Sequence, residues 1–181
     1  MFKGGSIFKR YVAALTLVLI LTASLLGGGC AVSAEAGLKV VTSTTLIAQI
    51  VERIGGDRVT VSNIIPPAEC PGLFDVKPSD IKLLADGELF LMHGWDGEMF
   101  SENLIASADN PNLVTVRLNV KVGENMNWLA PPVQQAATSQ IAEALAQADP
   151  AGAEGYRQAA EAYRAVVGAR AVEFKTQLAA I

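Results

Sequence analysis

The chain contains one histidine and two cysteines among 181 residues, so groups able to perform catalysis are scarce. His93 has no nucleophile at a motif spacing, and no serine lies in a G-x-S-x-G elbow. No glycine-rich phosphate loop is present, because Gly27-Gly28-Gly29 lies in the N-terminal apolar region and Gly55-Gly56 follows a helical pattern. These absences indicate a binding protein rather than an enzyme.

Basic residues are also too few for a nucleic-acid-binding surface. The chain has 14 Lys and Arg against 18 Asp and Glu, a net charge of -4. All 18 acids lie beyond Cys30 with 11 of the bases, which leaves a charge of -7 from that residue onward. An acidic surface favours a cation over a phosphate or nucleic acid as ligand, so we expect no nucleic-acid partner.

No apolar run is long enough to span a bilayer, since Tyr11 to Leu26 covers about sixteen residues and a spanning helix takes ~20. Lys3, Lys9 and Arg10 precede this run without any acid, and small residues follow it. This order of basic, apolar and small residues is typical of a secretory signal. We therefore predict a signal peptide over residues 1–29, with a spanning helix as the alternative.

The end of this signal, Leu25-Leu26-Gly27-Gly28-Gly29-Cys30, resembles the lipobox of bacterial lipoproteins, whose cysteine is acylated. Gly27 stands where leucine is usual, and Val32-Ser33-Ala34 offers an ordinary cleavage site instead. We favour lipidation of Cys30, which predicts an exported chain, periplasmic or on the cell surface, anchored to the membrane. Cys70 would then have no partner for a disulfide within the chain.

Strand and helix patterns alternate beyond the linker at residues 30–37. This alternation predicts an α/β lobe over residues 38–131, with a four-stranded parallel sheet covered by helices on both faces. Ser43-Thr44-Thr45 are expected to cap the first helix, and Gly55-Gly56 to end it. The predicted strands are Leu38–Thr42, Val59–Ile65, Glu88–Met92 and Leu113–Leu118; the helices between them cover 46–54, begin at Pro78 and cover 100–108.

Residues 132–181 are predicted to be helical. Pro131-Pro132 begin a Gln- and Ala-rich helix, and Asp149-Pro150 separate it from a final helix that Asp149 is fit to cap. The final pattern, 151–181, would be ~46 Å long, which overshoots a small sheet. We expect this helix to brace a further part of the protein. A coiled-coil arm is the alternative, although the apolar side chains along the helix form an irregular stripe. The stripe contains Tyr156, Ala160, Tyr163, Val166, Val167, Ala171, Phe174 and Leu178.

Loops that follow the carboxyl ends of parallel strands bind ligands in this class of fold. Here those loops carry Cys70, His93 and Met126, whose thiolate, imidazole and thioether groups favour Cu(I) or another soft metal over manganese. The alternatives are a buried apolar cysteine, a hydrogen-bonded histidine and a space-filling methionine. Further candidates on this rim are Glu69, Asp75, Glu98 and Glu124, as oxygen donors or solvated acids, and Trp95 and Trp128, which either stack on an organic ligand or pack the lobe.

Several segments resemble the metal-binding solute receptors of bacterial ABC importers, the TroA-like and ZnuA-like zinc and manganese lipoproteins. These segments are VVTSTTLIAQIVERIGGDRVTVSNIIPP, PSDIKLLADGELFLMHG, NWLAPP and the helix after Asp149-Pro150. The resemblance implies two α/β lobes joined by one long helix, with the metal between the lobes. It identifies this chain as the first lobe plus that helix, and it implies an ABC permease in the cytoplasmic membrane as partner.

The resemblance also implies an altered site, because it places Gly72 and Met126 where the family has metal histidines. His93-Gly94 stand at an asparagine-glycine of the family, and Glu98 stands at its glutamate. The other two family ligands come from the second lobe, which a separate reading frame or another copy would supply. We therefore expect Zn, Mn or a softer ion such as Cu as the solute. The alternative is a degenerate single-lobe accessory lipoprotein that binds no metal.

Overall fold

The computed structural model describes residues 37–69, 71–95 and 98–180. The predicted signal peptide, Cys30 and Cys70 lie outside these residues. Short 3-10 turns cover Gly56–Arg58, Pro71–Leu73 and Pro150–Gly152. The described helices and strands are β1 (Leu38–Thr42), α1 (Thr45–Gly55), β2 (Val59–Asn63), α2 (Pro78–Ala85), β3 (Leu89–Met92), α3 (Phe100–Ala108), β4 (Val114–Arg117), α4 (Pro131–Ala148) and α5 (Ala153–Leu178).

The four strands form one parallel sheet in the order β2-β1-β3-β4. In its register, Val40 of β1 pairs with Val61 of β2 and with Leu89 of β3. Because all four strands run the same way, their carboxyl ends lie along one edge of the sheet. The predicted α/β class and parallel sheet are confirmed.

Helices cover both faces of the sheet, so the central strands are buried on two sides. Val40, Leu89 and Leu91 belong to a core cluster with residues of α1, α4 and α5. Val41 and Phe90, which alternate with them along the strands, belong to a second cluster with residues of α2 and α3. The alternation of side chains along a strand thus divides the core into two layers.

The second strand is shorter than predicted, since β2 ends at Asn63 rather than Ile65. Ile64 and Ile65 form a bend and remain buried. Their N–H groups donate to the carbonyls of Thr42 at 2.9 Å and Ser43 at 3.1 Å. The chain therefore stays attached to β1 until Pro66, which has no N–H to donate.

Asp149 joins the start of α5 to the start of β2. Its carboxylate accepts hydrogen bonds from Arg58 Nε at 2.9 Å, Tyr156 Oη at 2.6 Å and Gly152 N at 3.3 Å. The Tyr156 bond foremost, together with Arg58, lowers the pKa of Asp149. Asp149 therefore caps the 3-10 turn that leads into α5, whereas α5 itself begins at Ala153 with Gly152 as its N-cap and without a side-chain capping bond.

The two long helices run antiparallel, and α5 extends past the beginning of α4. Arg157 pairs with Glu143 at 2.8 Å, and Gln135 Nε2 donates to the Arg164 carbonyl at 2.9 Å. Extending this register places Pro131, the first residue of α4, beside residues 168–169, so residues 170–178 project beyond it. The predicted stripe is therefore covered only in part, with Tyr156 and Ala160 as its buried members.

None of the helices in the described part of the chain is both long and apolar enough to cross a membrane.

Replacing Tyr156 by phenylalanine tests the anchor of α5. The change removes the buried hydroxyl that donates to Asp149, and hydrogen bonds to a charged group contribute roughly 1.5–3 kcal/mol. We expect urea denaturation to show that loss in the free energy of unfolding. Tyr163→Phe is the matched control in the same helix. Tyr163 contacts Arg53 through the face of its ring, and this contact does not use the hydroxyl that the variant removes. Equal losses in the two variants would contradict a role for the Tyr156 hydroxyl.

Candidate functional site

Buried polar residues are concentrated at the carboxyl ends of β1 and β3. Within the described ranges, eight polar or charged residues are buried, and six of them end or follow one of these two strands. Burying polar groups costs free energy unless they are bonded, so such a concentration needs a structural or functional reason. The six residues are Thr42, Ser43, Thr44, His93, Glu98 and Ser101.

Glu98, in the turn after β3, joins two other members of this group, Ser43 and His93. Its carboxylate accepts the N–H of His93 at 3.1 Å, the N–H of Gly94 at 2.6 Å and the hydroxyl of Ser43. Both carboxylate oxygens are therefore engaged inside the protein. Gly94 suits the turn, since its φ is +83° and a Cβ there would collide with the Asn119 side chain.

His93 lies beneath the rim with 2% of its surface exposed. Its Nε2 is 2.7 Å from Thr44 Oγ1, and its Nδ1 has no hydrogen-bond partner among the described residues. Burial lowers the pKa of His93 to about 4, so the ring is neutral at pH 7. The neutral imidazole is the form that ligates metals.

Two tryptophans contact the His93 ring from different sides. Trp95 stacks on it with centroids 4.2 Å apart, and Trp128 meets it edge-on at 4.1 Å. Trp128 is part of the core cluster beside α1 and α4. The indole N–H of Trp95 is buried without a partner in the described structure. The rings thus fix the orientation of the histidine, and one face of Trp95 is already occupied.

The prediction that Ser43 and Thr44 cap the first helix is wrong for their hydroxyl groups. Thr44 does occupy the N-cap position of α1, but no side-chain capping bond is formed. Its hydroxyl contacts His93, and the Ser43 hydroxyl donates to Glu98. The sequence feature that could have indicated these bonds is the polar run Ser43-Thr44-Thr45, placed directly after a buried strand.

The other candidate residues lie at the surface. Met126 is 52% exposed, and Glu69, Asp75 and Glu124 are exposed as well. Asn125 and Asn127 hold the Met126 loop, accepting the N–H groups of Asn127 and Leu129 at 2.9 Å each. Within the described ranges, no three His, Cys, Asp or Glu side chains are grouped so as to hold a metal. Cys70, the third predicted donor, lies outside them.

The burial of His93 predicts a pH-dependent stability. The unfolded chain binds a proton at this ring near pH 6.5, whereas the folded protein keeps it neutral down to about 4. The contribution of the neutral ring to the free energy of unfolding is therefore fully present above pH 6.5. It is lost as the pH drops, by about 1.4 kcal/mol per pH unit and roughly 3 kcal/mol in all. Urea denaturation between pH 7 and 4 measures this slope. The slope should be smaller in His93→Asn by the part due to the ring, because carboxylates such as Asp149, whose pKa is also lowered, still contribute. Equal slopes in the two proteins would contradict the assignment.

Replacing Glu98 by glutamine tests the carboxylate bonds. The amide presents a donor to groups that also donate, so we expect a loss of about 2 kcal/mol in the free energy of unfolding. Glu124→Gln, the same change on an exposed loop, should stay within ~0.5 kcal/mol. Thermal and urea unfolding compare the two variants. A loss no larger in Glu98→Gln than in Glu124→Gln would show that the carboxylate does not hold the turn.

The chain matches the family model described as ZnuA, zinc-uptake complex component A periplasmic, over residues 40–181. The manganese-binding lipoprotein MntA of Halalkalibacterium halodurans is 28% identical over 159 residues, covering 80% of this chain and 53% of that protein. The iron-binding protein YfeA of Yersinia pestis is 29% identical over 192 residues, covering 98% of this chain and 61% of that protein.

The structure of FpvC from Pseudomonas aeruginosa in complex with Ni²⁺ has a similar fold, with a TM-score of 0.67 and 25% identity. That match covers 74% of this chain and 52% of FpvC. The chain thus spans between about half and three fifths of the length of these relatives. The family match covers most of the described residues, so the chain belongs to the ZnuA family, that of the zinc-uptake complex component A.

Proposed function

We propose that this chain is the extracytoplasmic solute-binding component of an ABC importer for a transition-metal ion. The observation that carries the proposal is the cluster of buried polar residues at the carboxyl ends of β1 and β3, in a member of the ZnuA family. Ligands of open parallel sheets bind at that edge. MntA is named for manganese and YfeA for iron, and FpvC was solved with Ni²⁺, which supports a metal ion as solute.

In this proposal, His93, Cys70 and Met126 supply donors from three loops of the same rim. His93 fits the role in two respects, since its ring is neutral and its Nδ1 is free of partners among the described residues. The Thr44 hydroxyl contacts Nε2 of His93 and so orients the ring, as the groups that bond to metal-bound histidines do. Nitrogen and sulfur donors suit Zn²⁺ or Cu(I) better than Mn²⁺.

The same proposal assigns a location and partners. A signal peptide over residues 1–29 and a lipidated Cys30 would hold the lobe outside the cytoplasmic membrane, and MntA is itself named a lipoprotein. The lobe would deliver its ion to an ABC permease. A second lobe would close over the rim and complete the coordination. The role assigned here is binding and transfer, not catalysis.

Metal titration of the purified chain tests the proposal. We expect saturable one-to-one binding of Zn²⁺ or Cu(I) with a dissociation constant below about 1 μM. Calorimetry under anaerobic conditions measures this binding. His93→Ala and Cys70→Ser should each weaken it at least about tenfold. Glu52→Gln, an exposed change on α1, serves as the control that leaves affinity unchanged. Absence of saturable binding for any of these ions would instead favour the accessory lipoprotein that binds no metal.

A second variant makes the titration informative in the opposite direction. Gly72 is exposed, and a Cβ there would meet no atom within 4 Å, so a larger side chain fits without strain. The resemblance places a family metal histidine at this position. Gly72→His should therefore tighten Zn²⁺ binding, by about tenfold for one added imidazole. An unchanged affinity would argue that the metal does not bind beside this loop.

A further inference from the structure

The side chain of Thr44 has one hydrogen-bond partner in the described structure, the ring of His93. Thr44 Oγ1 lies 2.7 Å from His93 Nε2, and both side chains are buried. Thr44 occupies the N-cap position of α1, yet its hydroxyl forms no capping bond to that helix. The direction of this one hydrogen bond is therefore decided between the hydroxyl and the ring.

The bond can run in either direction, because a neutral imidazole carries one proton on Nδ1 or on Nε2. With the proton on Nδ1, the Thr44 hydroxyl donates to Nε2. With the proton on Nε2, that nitrogen donates to Thr44 Oγ1, and the hydroxyl proton loses its acceptor. Which nitrogen carries the proton is set by the hydrogen bonds that the ring makes.

The number of buried groups left without a partner favours the proton on Nδ1. In that form, the Nδ1–H group alone lacks a partner among the described residues. In the other form two groups lack one, the lone pair of Nδ1 and the hydroxyl proton of Thr44. A buried polar group without a partner costs free energy, so the second form should be populated about tenfold less or lower still.

The other groups around the ring leave this preference to Thr44. Trp95 stacks on the ring and Trp128 meets it edge-on, and Nδ1 accepts no bond from either indole. The Glu98 carboxylate bonds to the backbone N–H of His93 rather than to its ring. Within the described ranges, Thr44 is thus the polar side chain that decides where the ring proton lies.

We propose that Thr44 holds the proton of His93 on Nδ1 in the metal-free protein, so that Nδ1 can donate to an ion only after the hydrogen bond reverses. In the reversal, solvent water takes the proton from Nδ1 and returns one to Nε2, which then donates to Thr44 Oγ1. The charge of the ring is unchanged. Only this reversal rests on the proposed metal-binding function.

Thr44 is accordingly a positioning residue that tunes the site through the ring. The reversal leaves the Thr44 hydroxyl without its acceptor, so Nδ1 binds an ion less tightly than an imidazole free of this bond would. Moderated binding suits a protein that has to release its ion to another one.

Nuclear magnetic resonance of the ¹⁵N-labelled, metal-free full chain tests the proposal, because protonated and bare imidazole nitrogens differ widely in ¹⁵N chemical shift. The sequence has one histidine, so a preparation without a histidine tag gives a single set of ring signals. At pH 7 we expect the proton on Nδ1, with the other form below about a tenth of the population. A ring with its proton on Nε2 would overturn the proposal, whatever the metal titration shows.

Two substitutions separate the hydroxyl of Thr44 from the shape of its side chain. Thr44→Val removes the hydroxyl, so the two forms of the ring should become comparable in population. Thr44→Ser keeps the hydroxyl and should keep the proton on Nδ1. Thr45→Val is the control, since the Thr45 side chain has no bond to the ring in the described structure. An unchanged proton position in a folded Thr44→Val chain would show that the hydroxyl does not set it.

Adding zinc to the same labelled chain tests the reversal. Zn²⁺ is diamagnetic, so the ring signals stay observable, and we expect the proton on Nε2 in the loaded chain. Zinc bound with the proton still on Nδ1 would overturn the reversal. A chain that binds no zinc would contradict the proposed function and the reversal with it, whereas a proton on Nδ1 in the metal-free chain would still support the role of Thr44.

Discussion

The carboxylate of Glu98 is the interaction on which the strand-end site depends. Glu98 lies 55 residues beyond Ser43, and its carboxylate joins the Ser43 hydroxyl at the end of β1 to two backbone N–H groups in the turn after β3. A buried carboxylate without partners would cost several kcal/mol, whereas one with three donors becomes a fixed anchor for the loops that it joins. The two central strands β1 and β3 are thus tied at the carboxyl edge of the sheet, the edge at which open parallel sheets bind ligands, and these bonds hold the turn that carries His93. Thr44 and the two tryptophans then determine how the ring lies.

This arrangement gives a neutral, oriented imidazole in a chain with one histidine. Burial keeps the ring uncharged well below neutral pH, and the aromatic rings exclude water from it. The remaining proposed donors come from more exposed loops, with Met126 half in solvent. A site of this kind is rigid on one side and open on the other. In the proposed metal-binding role, the rigid side would bind the ion first while the open side remains accessible to further ligands.

Much of the fold could be predicted from the sequence because its signals are local. The β-branched strands, the glycines after α1, the prolines that begin α2 and α4, and Asp149 each determine the backbone within a few residues. The site was less accessible to such reasoning. The bonds of Ser43 and Thr44 cross about fifty residues of sequence, and a polar run after a strand indicates a helix cap equally well. The apolar stripe along α5 could be predicted from its periodicity. Periodicity does not show where the neighbouring helix begins, so the exposed end of α5 could be located only from the register between α4 and α5.

The most direct measurement of the central claim is X-ray absorption spectroscopy of the metal-loaded chain, because it reads the donor atoms themselves. Donation by His93, Cys70 and Met126 predicts nitrogen at about 2.0–2.1 Å and sulfur at about 2.3 Å from zinc. The nitrogen signal of imidazole should disappear in His93→Asn, with the sulfur shell retained. A spectrum with oxygen neighbours alone, identical in the chain and in that variant, would contradict a metal site at the ends of β1 and β3.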